Sequence, residues 1–164
     1  EYQGGGEAAT LEPLHEHLFE YKTHMMQNYG AGVQACYRGP RLYDTPETQA
    51  AVTEVIQWYK KYRDILNSDM IHLRRPDARD WDGFIHVNPH KKEKGLAMFF
   101  NPTHQEITRT IHIPLYYTGL TQTARIREKE QKPVTYKLNR DYTVELMVKI
   151  PANGYTWYVV EAAD

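Results

Sequence analysis

The period of the hydrophobic pattern changes once along this chain, near residue 67, and no other feature constrains the fold as strongly. Before that point, apolar residues recur at the three- and four-residue spacing of an amphipathic helix. After it, they alternate with polar residues, as in strands that bury one face. We therefore predict an α+β fold, in which two N-terminal helices precede an antiparallel β-sandwich. The predicted domains are residues 1–66 and 67–164.

Two helices are predicted, at about residues 11–28 and 46–66. The first carries an apolar stripe that includes Leu14, Tyr21 and Met25, opposite a charged face. The second has clear start signals, because Thr45 is a good N-cap and Pro46 suits the first helical position. Its apolar stripe continues to the end of the helix, and the polar run at 67–69 then breaks it.

Short strands fill the rest of the sequence. The strongest signal is at 142–150, where Val144, Leu146 and Val148 alternate with exposed polar positions. Seven or eight strands at this spacing, separated by Pro-Asp, Asn-Pro and Asn-Gly turns, indicate an antiparallel sandwich. The other predicted strands are 70–74, 83–88, 95–100, 107–115, 123–128, 133–138 and 155–161.

Between the helices lie a brief β-capable run at 33–37, which looks buried, and a polar loop. Two βα-like units followed by an all-β tail are typical of the end of a barrel enzyme with an appended sandwich. We therefore expect residues 1–66 to be a barrel-terminal βα segment of a larger protein. Such a segment carries part of an active-site rim and little of the chemistry.

In a βα barrel, functional residues lie on the loops that follow the strands, here 2–10 and 37–45. Carboxylates, guanidinium groups and aromatic rings are the groups with which a protein holds sugar hydroxyls and ring faces. The alternative is that these side chains form salt bridges that fasten the loops. The candidate substrate-binding residues are Glu1, Gln3, Glu7, Arg38, Arg41, Tyr43 and Asp44.

Trp81 lies between two predicted strands, with Asp80 and Asp82 on either side. It is a candidate for stacking on carbohydrate, or it is the packed residue of a hairpin turn, which we favour. The sequence contains 13 tyrosines and three tryptophans. These rings do not decide between a sugar-binding surface and structural packing, because amphipathic rings suit both sugar surfaces and strand-rich folds.

Several functional classes are disfavoured. A net charge of −1 provides no field that would attract nucleic acid or an anionic membrane surface, and no apolar run approaches the length of a membrane span.

The single cysteine, Cys36, excludes an intrachain disulfide and a cysteine-built zinc site. It is predicted to be a core residue rather than a nucleophile. His15 and His17 point to different helix faces, which argues against a metal site, and we predict no metal. We also predict no cofactor.

Five segments together resemble barrel glycoside hydrolases of the α-galactosidase-like clan. WYKKYRDIL at 58–66, RRPD at 74–77 and DWDG at 80–83 are similar to the end of the catalytic barrel and the start of the C-terminal β-domain. GLAMFFNPT at 95–103 resembles a strand and turn of that domain. GVQACYRGPRLYD at 32–44 is similar to the last barrel strand and its loop in bacterial members.

The resemblance implies a (β/α)8 parent that cleaves glycosidic bonds with two carboxylates. In that clan both acids lie on middle strands of the barrel, so no residue of this sequence inherits a catalytic role. We expect the chain to provide structural support and substrate-rim loops, and to be inactive by itself. Carbohydrate is the implied partner, and the resemblance alone favours a secreted or periplasmic location.

Two alternatives remain. One is a free-standing, non-catalytic carbohydrate-binding β-sandwich with a helical leader. The other is a protein-interaction domain whose helices dock to another protein through their apolar stripes, and a homodimer through the exposed helix faces would favour it. A binding module predicts exposed aromatic rings on the sandwich, drawn from Trp81, Tyr116, Tyr117 and Tyr155.

Overall fold

A computed structural model describes residues 11–34 and 39–163. The chain divides into two compact units, Glu1–Arg63 and Asp64–Asp164. The first contains the first helix and most of the second, and the second unit contains the eight strands found among the described residues. This is the α+β arrangement that the change of hydrophobic period predicts, with antiparallel pairing throughout the described strands.

The helices are α1, Leu18–Gly30, which follows a short 3₁₀ helix at Leu14–His17, and α2, Pro46–Leu66. The predicted start of the first helix at residue 11 is too early, because Pro13 is extended and the α-helical turns begin only after the 3₁₀ helix. The α2 range agrees with the prediction. Its N-cap is Thr45, whose hydroxyl accepts a hydrogen bond from the Thr48 amide at 3.3 Å.

The apolar stripes of both helices are buried. In α1 the buried residues include Tyr21, Met25 and Met26. The two helices contact each other through an ion pair between Lys22 and Glu54, at 2.7 Å, and through the rings of Tyr29 and Tyr59, whose centroids are 5.1 Å apart. In α2 the buried apolar residues are Ala51, Val52, Val55, Tyr62, Ile65 and Leu66.

The strands form two sheets. Six strands pair in the order β1-β2-β3-β8-β5-β6, and the other two pair as β4-β7. The last strand of the chain therefore lies inside the larger sheet, between β3 and β5. The strands are β1 Asp69–Arg74, β2 Asp82–Val87, β3 Glu93–Phe100, β4 Ile107–Pro114, β5 Thr123–Glu128, β6 Val134–Lys137, β7 Thr143–Ile150 and β8 Tyr155–Glu161.

One hydrophobic core lies between the two sheets. Strand β7 contributes Val144, Leu146, Val148 and Ile150 to this core, which is the alternation that its sequence predicts. The six-stranded sheet contributes alternate residues of β2, β3, β5 and β8. The sandwich is therefore held by side chains from both sheets, as in other two-layer β folds.

The β-capable run at 33–37 differs from its prediction where it is described. Val33 is 52% exposed rather than buried, and neither Val33 nor Gln34 is in a strand. The chain turns there because Gly32 adopts a left-handed conformation, with φ of 74°. The rest of the run, including Cys36, lies outside the described residues.

Within residues 11–34 and 39–163, neither helix combines the length and the apolar character that crossing a membrane requires.

Close pairing of β2 and β3 yields a stability prediction. A Cβ atom on Gly83 would lie 2.5 Å from the carbonyl oxygen of Met98, a backbone atom that cannot move without disturbing the sheet. We expect Gly83→Ala to lower the free energy of unfolding by about 1–3 kcal/mol, measured by urea denaturation of the whole chain.

The matched control is Gly95→Ala in the partner strand. There a Cβ atom meets only side-chain atoms of Ile85 and Val160, at 3.3 Å, which can shift. Its loss of stability should therefore be smaller. Equal losses for the two variants would contradict the pairing of β2 with β3 described here.

Candidate functional site

The predicted rim residues fall into two groups. Glu1, Gln3, Glu7 and Arg38 lie outside the described residues. Arg41, Tyr43 and Asp44 lie in the segment that connects α1 to α2. The structure places this segment beside the start of the first helical region, where it forms a small polar cluster.

Asp44 is the centre of this cluster, and its side chain is only 5% exposed. One carboxylate oxygen accepts hydrogen bonds from His15, from the backbone amide at 3.1 Å and from Nδ1 at 2.8 Å. The other lies 3.0 Å from the hydroxyl of Thr48. Asp44 thus connects the loop before α2 to the 3₁₀ helix before α1.

The charge state of Asp44 follows from these contacts. Burial raises the pKa of Asp44, but the hydrogen bonds from His15 and Thr48 outweigh burial and lower the pKa to about 2, from an ordinary 3.8. The carboxylate is therefore ionised at neutral pH, and its oxygens are directed at His15 and Thr48. A group in this state positions a loop and does not donate protons.

Arg41 makes a second connection between the same two regions. Its guanidinium binds the Glu12 carboxylate through two nitrogens, with Nη2 to Oε2 at 3.0 Å and Nε to Oε1 at 3.3 Å. The loop is also held by the Tyr21 hydroxyl, which donates to the carbonyl of Leu42 at 2.8 Å. Tyr43, between these contacts, is 45% exposed.

The partners in this cluster were not predictable from the sequence. Glu12 and Arg41 are 29 positions apart, as are His15 and Asp44, and no local pattern joins residues at that distance. Among the predictions from sequence, the hypothesis that salt bridges fasten the loop comes closest to these contacts. It predicts the type of contact but does not identify the partner residues.

Trp81 lies in the connection between β1 and β2. It is partly buried against the sandwich core, and its ring meets Phe99 at 5.8 Å in an edge-to-face arrangement. The guanidinium carbon of Arg74 lies 6.0 Å from the Trp81 ring, and Arg74 Nη1 donates to the Trp81 carbonyl at 2.7 Å. The Trp81 ring is thus in contact with protein on two sides.

Asp77 organises the same connection. It binds Arg74 through both carboxylate oxygens, at 2.8 and 3.2 Å, and accepts backbone hydrogen bonds from Arg79 and Asp80. The bond to Arg74 is the main reason that the pKa of Asp77 is held well below its usual range. Asp82, in contrast, has a raised pKa because it is partly buried.

The strand-rich unit also has open clefts on its surface. One, of about 640 Å³, is lined by Asp64, Asp69, Asn88, His90 and Lys91 among others. Asp64 is largely exposed there, and Lys91 Nζ lies 4.0 Å from its carboxylate. In the part of the chain that the structure describes, no group of three or more His, Cys, Asp and Glu side chains is arranged to hold a metal ion.

A cluster of tyrosines forms another exposed feature of this unit, and only two of its members were singled out from the sequence. Tyr116 and Tyr117, on a 3₁₀ turn after β4, are 62% and 63% exposed. The ring centroid of Tyr116 lies 5.1 Å from that of Tyr117 and 5.4 Å from that of Tyr142. Tyr142 also lines an open cleft of about 560 Å³. We call these three residues the tyrosine cluster.

Comparison with known proteins defines the class of fold. No family model matches the sequence, and no curated protein sequence matches it significantly. Solved structures do match. A GH27 β-L-arabinopyranosidase from Geobacillus stearothermophilus, solved with arabinose, aligns with a TM-score of 0.57 at 9% identity, covering 88% of this chain and 31% of that one.

Two other matches agree. A candidate α-N-acetylgalactosaminidase from Bacillus halodurans has a TM-score of 0.57 at 10% identity, covering 88% of this chain and 30% of that one. The α-galactosidase I of Mortierella vinacea has a TM-score of 0.53 at 12% identity, covering 85% and 34%. The chain thus spans about a third of the length of these proteins. The predicted resemblance to the C-terminal part of α-galactosidase-like hydrolases is confirmed at the level of fold.

The contacts of Asp44 yield a prediction for its titration. We expect carboxyl ¹³C NMR to report a pKa of about 2 for Asp44. The folded-state pKa lies below the ordinary 3.8, so ionised Asp44 stabilises the fold above about pH 4. This stabilisation is lost as pH falls towards 2. His15→Ala removes the ring contact but keeps the backbone donor, so it should raise the pKa only in part.

His17→Ala is the control, because His17 lies beside Glu20 at 3.6 Å and has no contact with Asp44. It should leave the Asp44 titration unchanged. An Asp44 that titrates at its ordinary value in the unsubstituted chain would show that the cluster does not form.

Proposed function

We propose that this chain is the C-terminal portion of a glycoside hydrolase, in which it provides structural support and rim loops for the substrate. The fold match carries this proposal. Helices and strands align together over 88% of the chain, and the matched proteins include a β-L-arabinopyranosidase and a candidate α-N-acetylgalactosaminidase. Both act on, or are assigned to act on, glycosidic bonds.

In this proposal, the helical unit is the last βα segment of a (β/α)8 barrel. The buried apolar stripes of α1 and α2 support it, because barrel helices bury one face. The loop at 39–45, between the helices, then belongs to the rim of the barrel. That loop is where a barrel enzyme carries substrate contacts.

Arg41, Tyr43 and Asp44 take different roles on this rim. Tyr43 is half-exposed and supplies a ring that a sugar can reach. Asp44 is buried and bound to His15, so it holds the loop in place. Arg41 combines the two roles, because its guanidinium is bound to Glu12 but its side chain is 53% exposed.

Asp44 does not fit the role of a catalytic acid. The general acid of a glycosidase needs a raised pKa, so that it carries a proton near neutral pH. Hydrogen bonds lower the pKa of Asp44 instead. This supports the proposal that the general acid belongs to another part of the parent enzyme, without which this chain alone is inactive.

The direct test compares this chain with the protein encoded by the complete reading frame that contains it. Both are assayed against a panel of 4-nitrophenyl glycosides that includes α-galactoside, α-N-acetylgalactosaminide and β-L-arabinopyranoside. We expect the complete protein to hydrolyse at least one of them, and this chain to hydrolyse none. A complete protein with no glycosidase activity, or activity in this chain alone, would contradict the proposal.

The rim role has its own prediction in the complete protein. Tyr43→Ala should raise KM about tenfold and change kcat less, because the ring is proposed to contact the bound sugar rather than the reacting atoms. Gln57→Ala, at an exposed position of α2, is the control and should leave both constants unchanged. A KM unaffected by Tyr43→Ala would remove Tyr43 from the rim.

A further inference from the structure

We propose that the tyrosine cluster, together with the cleft beside it, is a carbohydrate-binding site on the sandwich that is separate from any catalytic site. Its ligand class is an oligosaccharide. The inference rests on the proposed association of this chain with carbohydrate. It concerns a different unit from the rim residues, and so it has its own test.

The exposure of the tyrosines is the first observation. Tyr116 and Tyr117 are adjacent in sequence, each more than half exposed, although most large apolar side chains of this unit are in the core. Their rings meet at 89°, and Tyr116 meets Tyr142 at 73°. The three rings thus support one another in an edge-to-face arrangement and leave aromatic surface in contact with water.

The backbone beneath the tyrosines is firmly held. Leu115 and Thr118, on either side of the exposed pair, are fully buried. The Leu115 amide donates to the carbonyl of Tyr142 at 2.9 Å, which ties the turn to the start of β7. Gly119 ends the turn in a left-handed conformation, with φ of 76°. The rings are therefore presented on a rigid base, which reduces the entropy lost when a ligand binds.

Tyr142 also has an unusual backbone conformation. Its φ of 62° is in the left-handed region, which is unfavourable for a side chain of this size. The turn is stabilised by Asp141, which accepts hydrogen bonds from the amide and the hydroxyl of Thr143 at 3.1 and 2.7 Å. The ring of Tyr142 is thereby fixed between Tyr116 and the cleft.

The cleft provides the polar half of the site. It has a volume of about 560 Å³, within the usual range for small-ligand sites. Besides Tyr142, its exposed lining residues are Thr121, Gln122, Thr123, Lys137, Asn139 and Arg140. Hydroxyl, amide and guanidinium groups beside an aromatic ring complement a sugar, which has an apolar ring face and a border of hydroxyl groups.

A protein partner fits this surface less well. A stable protein interface needs about 1,000 Å² or more, with an apolar centre. Around the exposed tyrosines the exposed positions are mixed: Gly119, Thr121 and Gln122 are small or polar, whereas Met70 and Pro89, which line a cleft with Tyr117, are apolar. This alternation of polar and apolar positions, without a continuous apolar centre, fits a sugar site better than a protein interface.

The test is titration of the 164-residue chain with four hexasaccharides: cellohexaose, xylohexaose, mannohexaose and maltohexaose. Binding is followed by ¹H–¹⁵N NMR and by calorimetry. We expect at least one sugar to bind with millimolar or better affinity and to shift the amide signals of residues 116–122 and 137–142. Shifts confined to the helical unit would overturn the inference.

Variants then locate the contact. Tyr117→Ala should weaken binding about tenfold, whereas Tyr117→Phe should retain most of it, because the ring face makes the contact. Met147→Ala is the control, since Met147 is the most exposed large apolar residue described in this unit and is outside the cluster. Its affinity should equal that of the unsubstituted chain, and circular dichroism should show that all three variants are folded.

The remaining outcomes decide against the inference. No binding of any of the four sugars would overturn it, as would equal affinities for Tyr117→Ala and the unsubstituted chain. Self-association that Tyr117→Ala abolishes would instead assign the surface to a second copy of the chain. None of these results depends on glycosidase activity, so this inference and the proposed function can fail independently.

Discussion

Pairing between β3 and β8 is the interaction on which the strand-rich unit depends. It joins residues about 60 positions apart, in a register that runs from Glu93 opposite Glu161 to Phe100 opposite Tyr155. Strands β1 to β3 form one antiparallel group, and β5 and β6 form another. Because β8 pairs with both β3 and β5, it converts two small groups into one six-stranded sheet. Bringing two such distant strands together costs loop-closure entropy, and burial of the core side chains offsets that cost.

The completed six-stranded sheet provides the surface on which β4 and β7 pack. Alternate residues of β7 enter the core, while the opposite positions, such as Met147, face solvent. A two-stranded sheet is marginal by itself, so β4 and β7 require the larger sheet for stability. The tyrosine cluster is a product of this packing, because the turn after β4 and the start of β7 bring Tyr116 and Tyr142 together. The proposed sugar site is thus built at one end of this strand pair, where Pro114 lies opposite Thr143.

Regular elements were predictable from the sequence, and contacts between distant residues were not. All eight strands occur close to their predicted ranges. The signal is strongest in β7, where one-sided burial imposes a two-residue period on the sequence. Thr45 and Pro46 marked the start of α2 by local chemistry. The partners of Arg41 and Asp44 depend on how the chain folds back, as does the contact of Tyr142 with Tyr116. The alternating pattern also concealed one residue of the tyrosine cluster. The pattern assigns Tyr142 to the start of a strand and gives no sign of its contact with Tyr116.

Amide hydrogen exchange of the 164-residue chain tests the central role of β8 most directly. A strand bonded on both sides should exchange only when the whole sheet opens, whereas β1 and β6 each pair on one side only among the strands that the structure describes. We predict that the amides of β8 and β3 are the most protected in this unit and that those of β1 and β6 exchange much faster. Amides of β8 that exchange as fast as those of β1 would contradict the position of the last strand at the centre of the sheet.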